Sequence, residues 1–390
     1  MANLDVLEKS IPVAPIKIAS LEGCLDLAKD VDNCLVKFRK ELVKHNSAGT
    51  ALSGYYEPTY ITECACPRFG TGEAKGILGD SIRGTDLYIM ADVMNYSITY
   101  KVCGRINHMS PDNHFQDLKR IISAAMGKAL RVNVIMPFLY ESRQHKKTSR
   151  ESLDCALGIQ ELVDMGVSNI ITFDAHDPRV QNAIPLNGFD NFKPTYQFLK
   201  AMMKNIPDLK LDNEHLMIIS PDEGAMGRAI YFANVLGVDV GMFYKRRDYS
   251  TIVIGKNPIV APEFLGDSVE GKDVIIIDDM ISSGESMLDV AKQIKEKGAK
   301  RVFVCCTFGL FTDEFEKFDD YYEKGYIEKI ITTNLTYRKP ELLEKPYYLT
   351  ADMTKYIARI IDTLNHDVSI EKVSNNTTKI NKLLAKSRNR

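Results

Sequence analysis

Between Arg131 and Thr312 short β-branched runs alternate with amphipathic segments, and this alternation constrains the fold more than any other feature of the chain. The runs VNVIMP, NIITFD, HLMIIS, DVGMFY, DVIIID and RVFVCCT have strand length and composition, and the stretches between them have helical period. A strand followed by a crossover helix brings the chain back parallel to itself, so the pattern predicts an α/β fold with mainly parallel sheets flanked by helices. From Ser286 to Gly298, Met287, Val290, Ala291 and Ile294 share one helical face and Gly298 marks the stop. The segment from Glu151 to Gly166 ahead of NIITFD repeats this plan, which two related α/β halves or chance similarity would both produce.

At 390 residues the chain exceeds the usual span of one hydrophobic core, and two domains are expected. Pro194 and Pro207 flank a helical stretch that ends in a polar connection, which places the boundary between Phe192 and Lys210. The expected division is 1–200, 201–345, and a C-terminal helix and polar tail over 346–390. From Val368 onward Asn, Lys and Ser dominate, as in an exposed helix or a partly disordered tail. An amphipathic stretch from Leu21 to Val43 reads as a structural extension.

A formal net charge of -2 gives no electrostatic footprint for a polyanion, which argues against nucleic acid as a partner. No apolar run approaches the roughly 18 residues of a membrane span, and the first residues lack the pattern of a secretory leader, so a cytoplasmic location is expected. The eight cysteines include no CxxC pair, and Cys305 and Cys306 lie in an apolar run that reads as packing.

The most specific local signal is DVIIIDDMISSGES, an apolar strand ending in Asp278 and Asp279 and leading through a small-residue loop into a helix. Paired carboxylates at the carboxyl end of such a strand suit the vicinal hydroxyls of a ribose, directly or through a divalent ion. Ser282, Ser283, Gly284 and Ser286 at a helix N-terminus suit a phosphate.

This pattern resembles the loop shared by type I phosphoribosyltransferases and ribose-phosphate diphosphokinases, and further segments from about Arg68 to Leu335 are similar to the diphosphokinases in particular. RFGTGEAKG resembles that family's amino-terminal signature, which makes Phe69 and Glu73 ATP-binding candidates that act across a subunit interface. Arg143 and Gln144 match its nucleotide loop, where a guanidinium can grip phosphate oxygens in two places. Asp174 and His176 match its Asp-x-His site, with Gln181 at the family's spacing, and His176 is implied for ATP and for the metal. Asp222, in SPDEGAMGRA, is the match for a second metal contact through the ion's water shell. Lys245 and Arg247 in MFYKRRDYS resemble the Lys-x-Arg of the mobile catalytic loop, with Arg246 as the alternative register.

The resemblance implies two related phosphoribosyltransferase-like domains. It further implies Mg²⁺ as cofactor, ATP and ribose 5-phosphate as substrates, and a homo-oligomer built from dimers, possibly a hexamer. Three positions depart from the family pattern: Thr71 stands where Asp or Asn is usual, His145 replaces Asp, and Ser282 belongs to a loop that commonly carries an acid and threonines. Two rivals follow. A type I phosphoribosyltransferase would need a nucleobase pocket, and a noncatalytic regulatory relative would bind nucleotide without yielding AMP.

Overall fold

A computed structural model of the full chain describes residues 4–45, 51–247 and 259–388, with side chains for 6–45, 51–244 and 263–385. It divides into two compact units, 1–193 with 334–337 and 352–375, and 194–333 with 338–351 and 376–390.

The first unit carries a parallel sheet whose strands lie in the order Ile61–Thr62, Ile16–Ser20, Asp86–Met90, Arg131–Ile135, Asn169–Phe173 and Gly188–Phe192. In the second the order is Ile259–Leu265, Asp239–Arg247, Leu216–Ser220, Asp273–Ile281, Arg301–Gly309, Lys329–Thr333 and Tyr348–Ala351, and only the edge strand Ile259–Leu265 runs antiparallel. With that edge strand set aside, both sheets read second, first, third, fourth, fifth, sixth in chain order. Two topologically equivalent halves are therefore present, and the α/β expectation holds in each.

The sequence echo that suggested this does not itself join equivalent parts. Helix Asp154–Asp164 precedes the fifth strand of its sheet, whereas helix Glu285–Glu296 precedes the fourth of its own. What the two share is local: each ends before a glycine in the left-handed region, Gly166 at φ 90° and Gly298 at φ 93°, the usual way to stop a helix and start a strand.

Strand Asp273–Ile281 shows why these runs are apolar throughout. Val274 and Ile276 belong to one buried cluster with Met287, Val290 and Ala291, while Ile275 and Ile277 belong to another with Leu199, Phe232 and Phe303. A parallel sheet covered on both faces buries both sets of alternating side chains.

The main segment of the first unit ends at 193, inside the interval Phe192–Lys210, whereas residues 346–390 form no third segment and are divided between the two units. Helix Thr354–Asn365 belongs to the first unit, held by the Arg39 guanidinium, whose Nε donates to Asp362 Oδ1 at 2.7 Å and whose Nη2 donates to Asn365 Oδ1 at 2.7 Å. Residues 334–337 belong there too, since the Tyr337 N–H donates to Asp92 Oδ2 at 2.7 Å. Burial pushes the Asp92 carboxyl up to about 7. Helix Thr377–Arg388 instead places Ile380 and Leu384 in the core of the second unit. Amphipathic period announces an apolar face but not which of two cores receives it.

The first unit also bears an arm from Ile61 to Gly79, which includes the two-stranded ribbon Cys64–Ala65 with Ile77–Leu78, and a hairpin of Thr99–Val102 with Arg105–His108. No helix among the described residues is long and apolar enough to cross a membrane.

Candidate active site

In an open sheet of this order, ligands collect at the carboxyl edge where the strand order reverses, between the first and third strands. In the second unit these are Leu216–Ser220 and Asp273–Ile281, and the sequence-derived candidates flank that position.

Strand Asp273–Ile281 carries Asp278 and Asp279 near its end. The Asp279 N–H donates to Asp278 Oδ1 at 2.8 Å, and Asp279 is 3% exposed. Burial, and then the neighbouring Asp279 carboxylate, raise the Asp278 carboxyl well above the usual range. Among the described residues Arg228 answers this pair, its Nη2 lying 3.4 Å from Asp279 Oδ2. Two carboxylates facing one guanidinium form a site that would readily accept a divalent ion or sugar hydroxyls. Sequence reading missed Arg228. Its signal was its place in SPDEGAMGRA, six residues beyond Asp222 on helix Met226–Leu236.

Asp222 ends the turn after Leu216–Ser220. Its Oδ1 accepts the N–H groups of Gly224 at 2.9 Å and Ala225 at 3.1 Å, so the carboxylate stiffens the turn into the helix.

The Ser282–Ser286 loop has the shape of an anion cradle. Gly284 stands at φ 81° as the N-cap of helix Glu285–Glu296, and no side chain caps that helix among the described residues. Its first-turn N–H groups therefore lack an intrahelical acceptor. The loop is pinned from the neighbouring strand end, where the Thr312 N–H donates to Ser282 O at 3.1 Å. A Cβ at Gly284 would sit 2.3 Å from Phe318 Cζ, and Phe318 is 1% exposed. Gly284→Ala is therefore expected to displace the loop and weaken the binding of a phosphorylated substrate there by about tenfold or more, read as KM in steady-state kinetics.

In the first unit, the loop after Arg131–Ile135 meets the segment after Asn169–Phe173. The His176 N–H donates to Ser142 Oγ at 3.0 Å. The His145 ring lies 5.3 Å from that of His176, with Nδ1 3.2 Å from Ser142 O and Nε2 3.4 Å from Asp177 Oδ2. Burial holds the His145 imidazole below its ordinary range although both neighbours are acceptors. The Arg179 guanidinium holds the Asp177 carboxyl down at about 2. Asp174 takes up a left-handed backbone, φ 41°, and its N–H donates to Phe192 O at 2.9 Å. Non-glycine residues in that region cluster at functional sites. Arg143 is exposed, and Gln144 O accepts the Cys155 N–H at 3.3 Å. Gln181 lies on the 3-10 turn Pro178–Ala183 and is exposed.

Phe69 and Glu73 stand on the tip of the Ile61–Gly79 arm, joined by the Phe69 N–H to Glu73 O hydrogen bond of 2.7 Å. Phe69 is 54% exposed. Thr71, one of the departures, donates its hydroxyl to Glu73 Oε2 at 2.8 Å and so aims that carboxylate. Lower on the arm, Cys64 donates to Ser20 O at 2.8 Å and Cys66 lies 3.7 Å from Asp117 O; burial pushes these thiols up to about 11 and about 12. Lys245 and Arg247 fall at the end of strand Asp239–Arg247, and their side chains lie outside the described residues.

Comparison with known proteins agrees with this geometry. Residues 16–166 match the family model of the N-terminal domain of ribose phosphate pyrophosphokinase, and residues 189–345 match that of the phosphoribosyl transferase domain. The chain is 30% identical over 261 residues to a ribose-phosphate pyrophosphokinase of Thermosipho africanus, spanning 66% of this chain and 74% of that one. Against the Vibrio parahaemolyticus protein of the same name it is 26% identical over 318 residues, spanning 81% and 92%. The fold is that of a phosphoribosylpyrophosphate synthetase crystal structure from Mycobacterium smegmatis, with a TM-score of 0.69 over 90% of this chain and 99% of that one at 20% identity. The chain belongs to the ribose-phosphate pyrophosphokinase family.

Proposed function

We propose that this enzyme transfers the diphosphoryl group of ATP to the anomeric hydroxyl of ribose 5-phosphate, giving phosphoribosyl diphosphate and AMP. The observation that carries the reading is the single run from Asp278 to Ser286, which sets a carboxylate pair, Asp279 buried and Asp278 half-buried, beside an uncapped helix N-terminus behind Gly284. A sugar that carries vicinal hydroxyls at one end and a phosphate at the other matches that run in both charge and order.

In this reading the C1 hydroxyl oxygen attacks the β-phosphorus in line, and the bond from that phosphorus to the oxygen bridging to the α-phosphate breaks. AMP departs with that oxygen, and the hydroxyl gives up its proton. Asp278 and Asp279 orient the sugar hydroxyls, and the Ser282, Ser283, Gly284 and Ser286 loop holds the 5-phosphate. Arg143, Gln144 and His176 take the nucleotide phosphates, Phe69 and Glu73 the adenosine. Lys245 and Arg247 neutralise charge that grows on the transferred group.

Mg²⁺ fits the donor types present, the His176 imidazole and the Asp222 carboxylate being the groups that would hold it, and when bound it would screen the polyphosphate charge. Positioning and charge neutralisation supply most of the acceleration in such transfers, so no dedicated general base is assigned. The family's assembly into dimer-based homo-oligomers is part of the same reading.

The test follows both products, AMP and phosphoribosyl diphosphate, from purified protein with Mg²⁺, ATP and ribose 5-phosphate, with inorganic phosphate tried as activator. Equal molar yields are expected. ATP binding with neither product would overturn the reading in favour of a regulatory relative.

A further inference from the structure

The base of the arm that carries Phe69 and Glu73 is anchored: Ile61–Thr62 pairs with the sheet, Cys64 donates to Ser20 O, and Gly76 lies against the Arg120 backbone. Beneath it lies a cavity of about 650 Å³ lined by Leu21, Leu25, Ile61, Cys64, Ile77 and Met109 among others. Those anchors lie outside the turn Arg68–Ala74. Three further contacts hold the turn itself, and the hairpin Thr99–His108 supplies a partner in each.

At the start of the tip, the Arg68 guanidinium lies 4.9 Å from the Tyr100 ring centroid while it donates two hydrogen bonds to Asp117, at 2.8 and 2.7 Å. Tyr100 is itself held, donating its hydroxyl to Asn113 Oδ1 at 3.2 Å. In the middle, Gly70 O accepts the Cys103 N–H at 2.8 Å. Beyond it, Val102 presses on Gly72, where a Cβ would stand 2.9 Å from Val102 Cγ2.

The hairpin turn is built for that second contact. Cys103 and Gly104 have φ of 49° and 82°, the pair of positive values that a tight two-residue turn needs in order to follow the strand twist. Such a turn leaves the N–H of its first central residue outside the strand ladder, and here that N–H meets Gly70 O. A cysteine in the left-handed region is strained, so the conformation is held by what surrounds it.

We propose that the Thr99–His108 hairpin is the positioning element of the nucleotide-binding turn Arg68–Ala74, holding Phe69 and Glu73 where they meet the adenosine of ATP. The proposal rests on the reading of Phe69 and Glu73 given above. The hairpin touches no substrate in this account. Its effect belongs in the affinity for ATP.

The experiment compares Tyr100→Ala with Val102→Ala as a double variant, Cys103→Gly, and Phe69→Ala, in the full-length enzyme. KM for ATP, KM for ribose 5-phosphate and kcat are measured for each, with thermal unfolding as the check on folding. The double variant is expected to raise the KM for ATP by about tenfold while KM for ribose 5-phosphate and kcat stay within about twofold. Cys103→Gly keeps both the N–H and the turn, and is expected to match the parent in all three constants.

A double variant with an unchanged KM for ATP, in a background where Phe69→Ala raises it, overturns the hairpin's role alone. An unchanged KM in Phe69→Ala overturns the underlying reading of the turn. A fall in kcat with both KM values intact would show only lost folded protein, and would equally overturn the positioning role. If the double variant does not fold, Val102→Ala alone is measured against the same criteria.

Discussion

Converting Lys245 and Arg247 together to Ala is expected to lower turnover by about 10³-fold while leaving the KM for ribose 5-phosphate within about twofold. Diphosphoryl transfer moves negative charge onto the bridging and nonbridging oxygens of the group in flight. Removing one preorganised donor from such a site typically costs about 3 kcal/mol of transition-state stabilisation. Two cations that act together do not add, so the pair is expected to lose little more than the larger single effect. In the proposed reading the sugar phosphate is instead held by Asp278, Asp279 and the loop behind Gly284. Its affinity should be indifferent to Lys245 and Arg247. Gly284→Ala is the complementary case, with KM for the sugar phosphate as the constant that moves. Near-normal turnover in the double variant would remove these residues from the chemistry. A matching loss of sugar-phosphate affinity would assign them to the sugar site instead.

Asp362→Ala is expected to destabilise the first unit by about 3–5 kcal/mol, read as a fall in the urea midpoint of its unfolding transition. Arg39 is 1% exposed and Asp362 is 2% exposed, so removing the carboxylate leaves a guanidinium cut off from water. The network around it is continuous. Asn365 donates to Asp86 Oδ2 at 2.9 Å and to Ala14 O at 2.9 Å, while Arg131 donates to both Asp86 oxygens, at 2.8 and 2.7 Å. Breaking one member of a buried ion pair costs far more than the pair contributes, because the partner's desolvation is then uncompensated. Asp362→Asn retains an acceptor for Arg39 Nε and should lose less. A shift below about 1 kcal/mol in Asp362→Ala would mean that Arg39 finds water or another acceptor. The same network predicts that truncation ahead of Thr354 unfolds the first unit, although the missing residues lie far along the chain.

The Asp278–Ser286 run was legible as a strand end, a loop and a helix start because everything that shape needs is local. Asp278, Asp279, Ser282, Gly284 and the helix start follow one another within a few residues, and backbone geometry carries them to one strand end. The Asp174 and His176 site was legible for the same reason. Arg228 was not, since its approach to Asp279 depends on two strands lying side by side that are separated by more than fifty residues in sequence. Ser142 was overlooked on similar grounds: a hydroxyl in a basic loop gives no sign that it will accept the N–H of His176. Thr71 stood out only as a departure from the family pattern, and its hydroxyl donates to Glu73 Oε2.

By itself the sequence determined the six strands named from their β-branched runs, the helices ahead of NIITFD and RVFVCC, and the mainly parallel α/β class, because hydrophobic period and turn chemistry act over a few residues. Tertiary structure alone decided three things: which core takes the helix Thr354–Asn365, which cation faces the carboxylate pair, and that the Thr99–His108 hairpin braces the arm bearing Phe69. Each depends on contacts between segments remote in sequence. Their pairing follows from the order in which strands assemble and from the need to partner every buried charge and hydrogen-bonding group, and no local pattern encodes it.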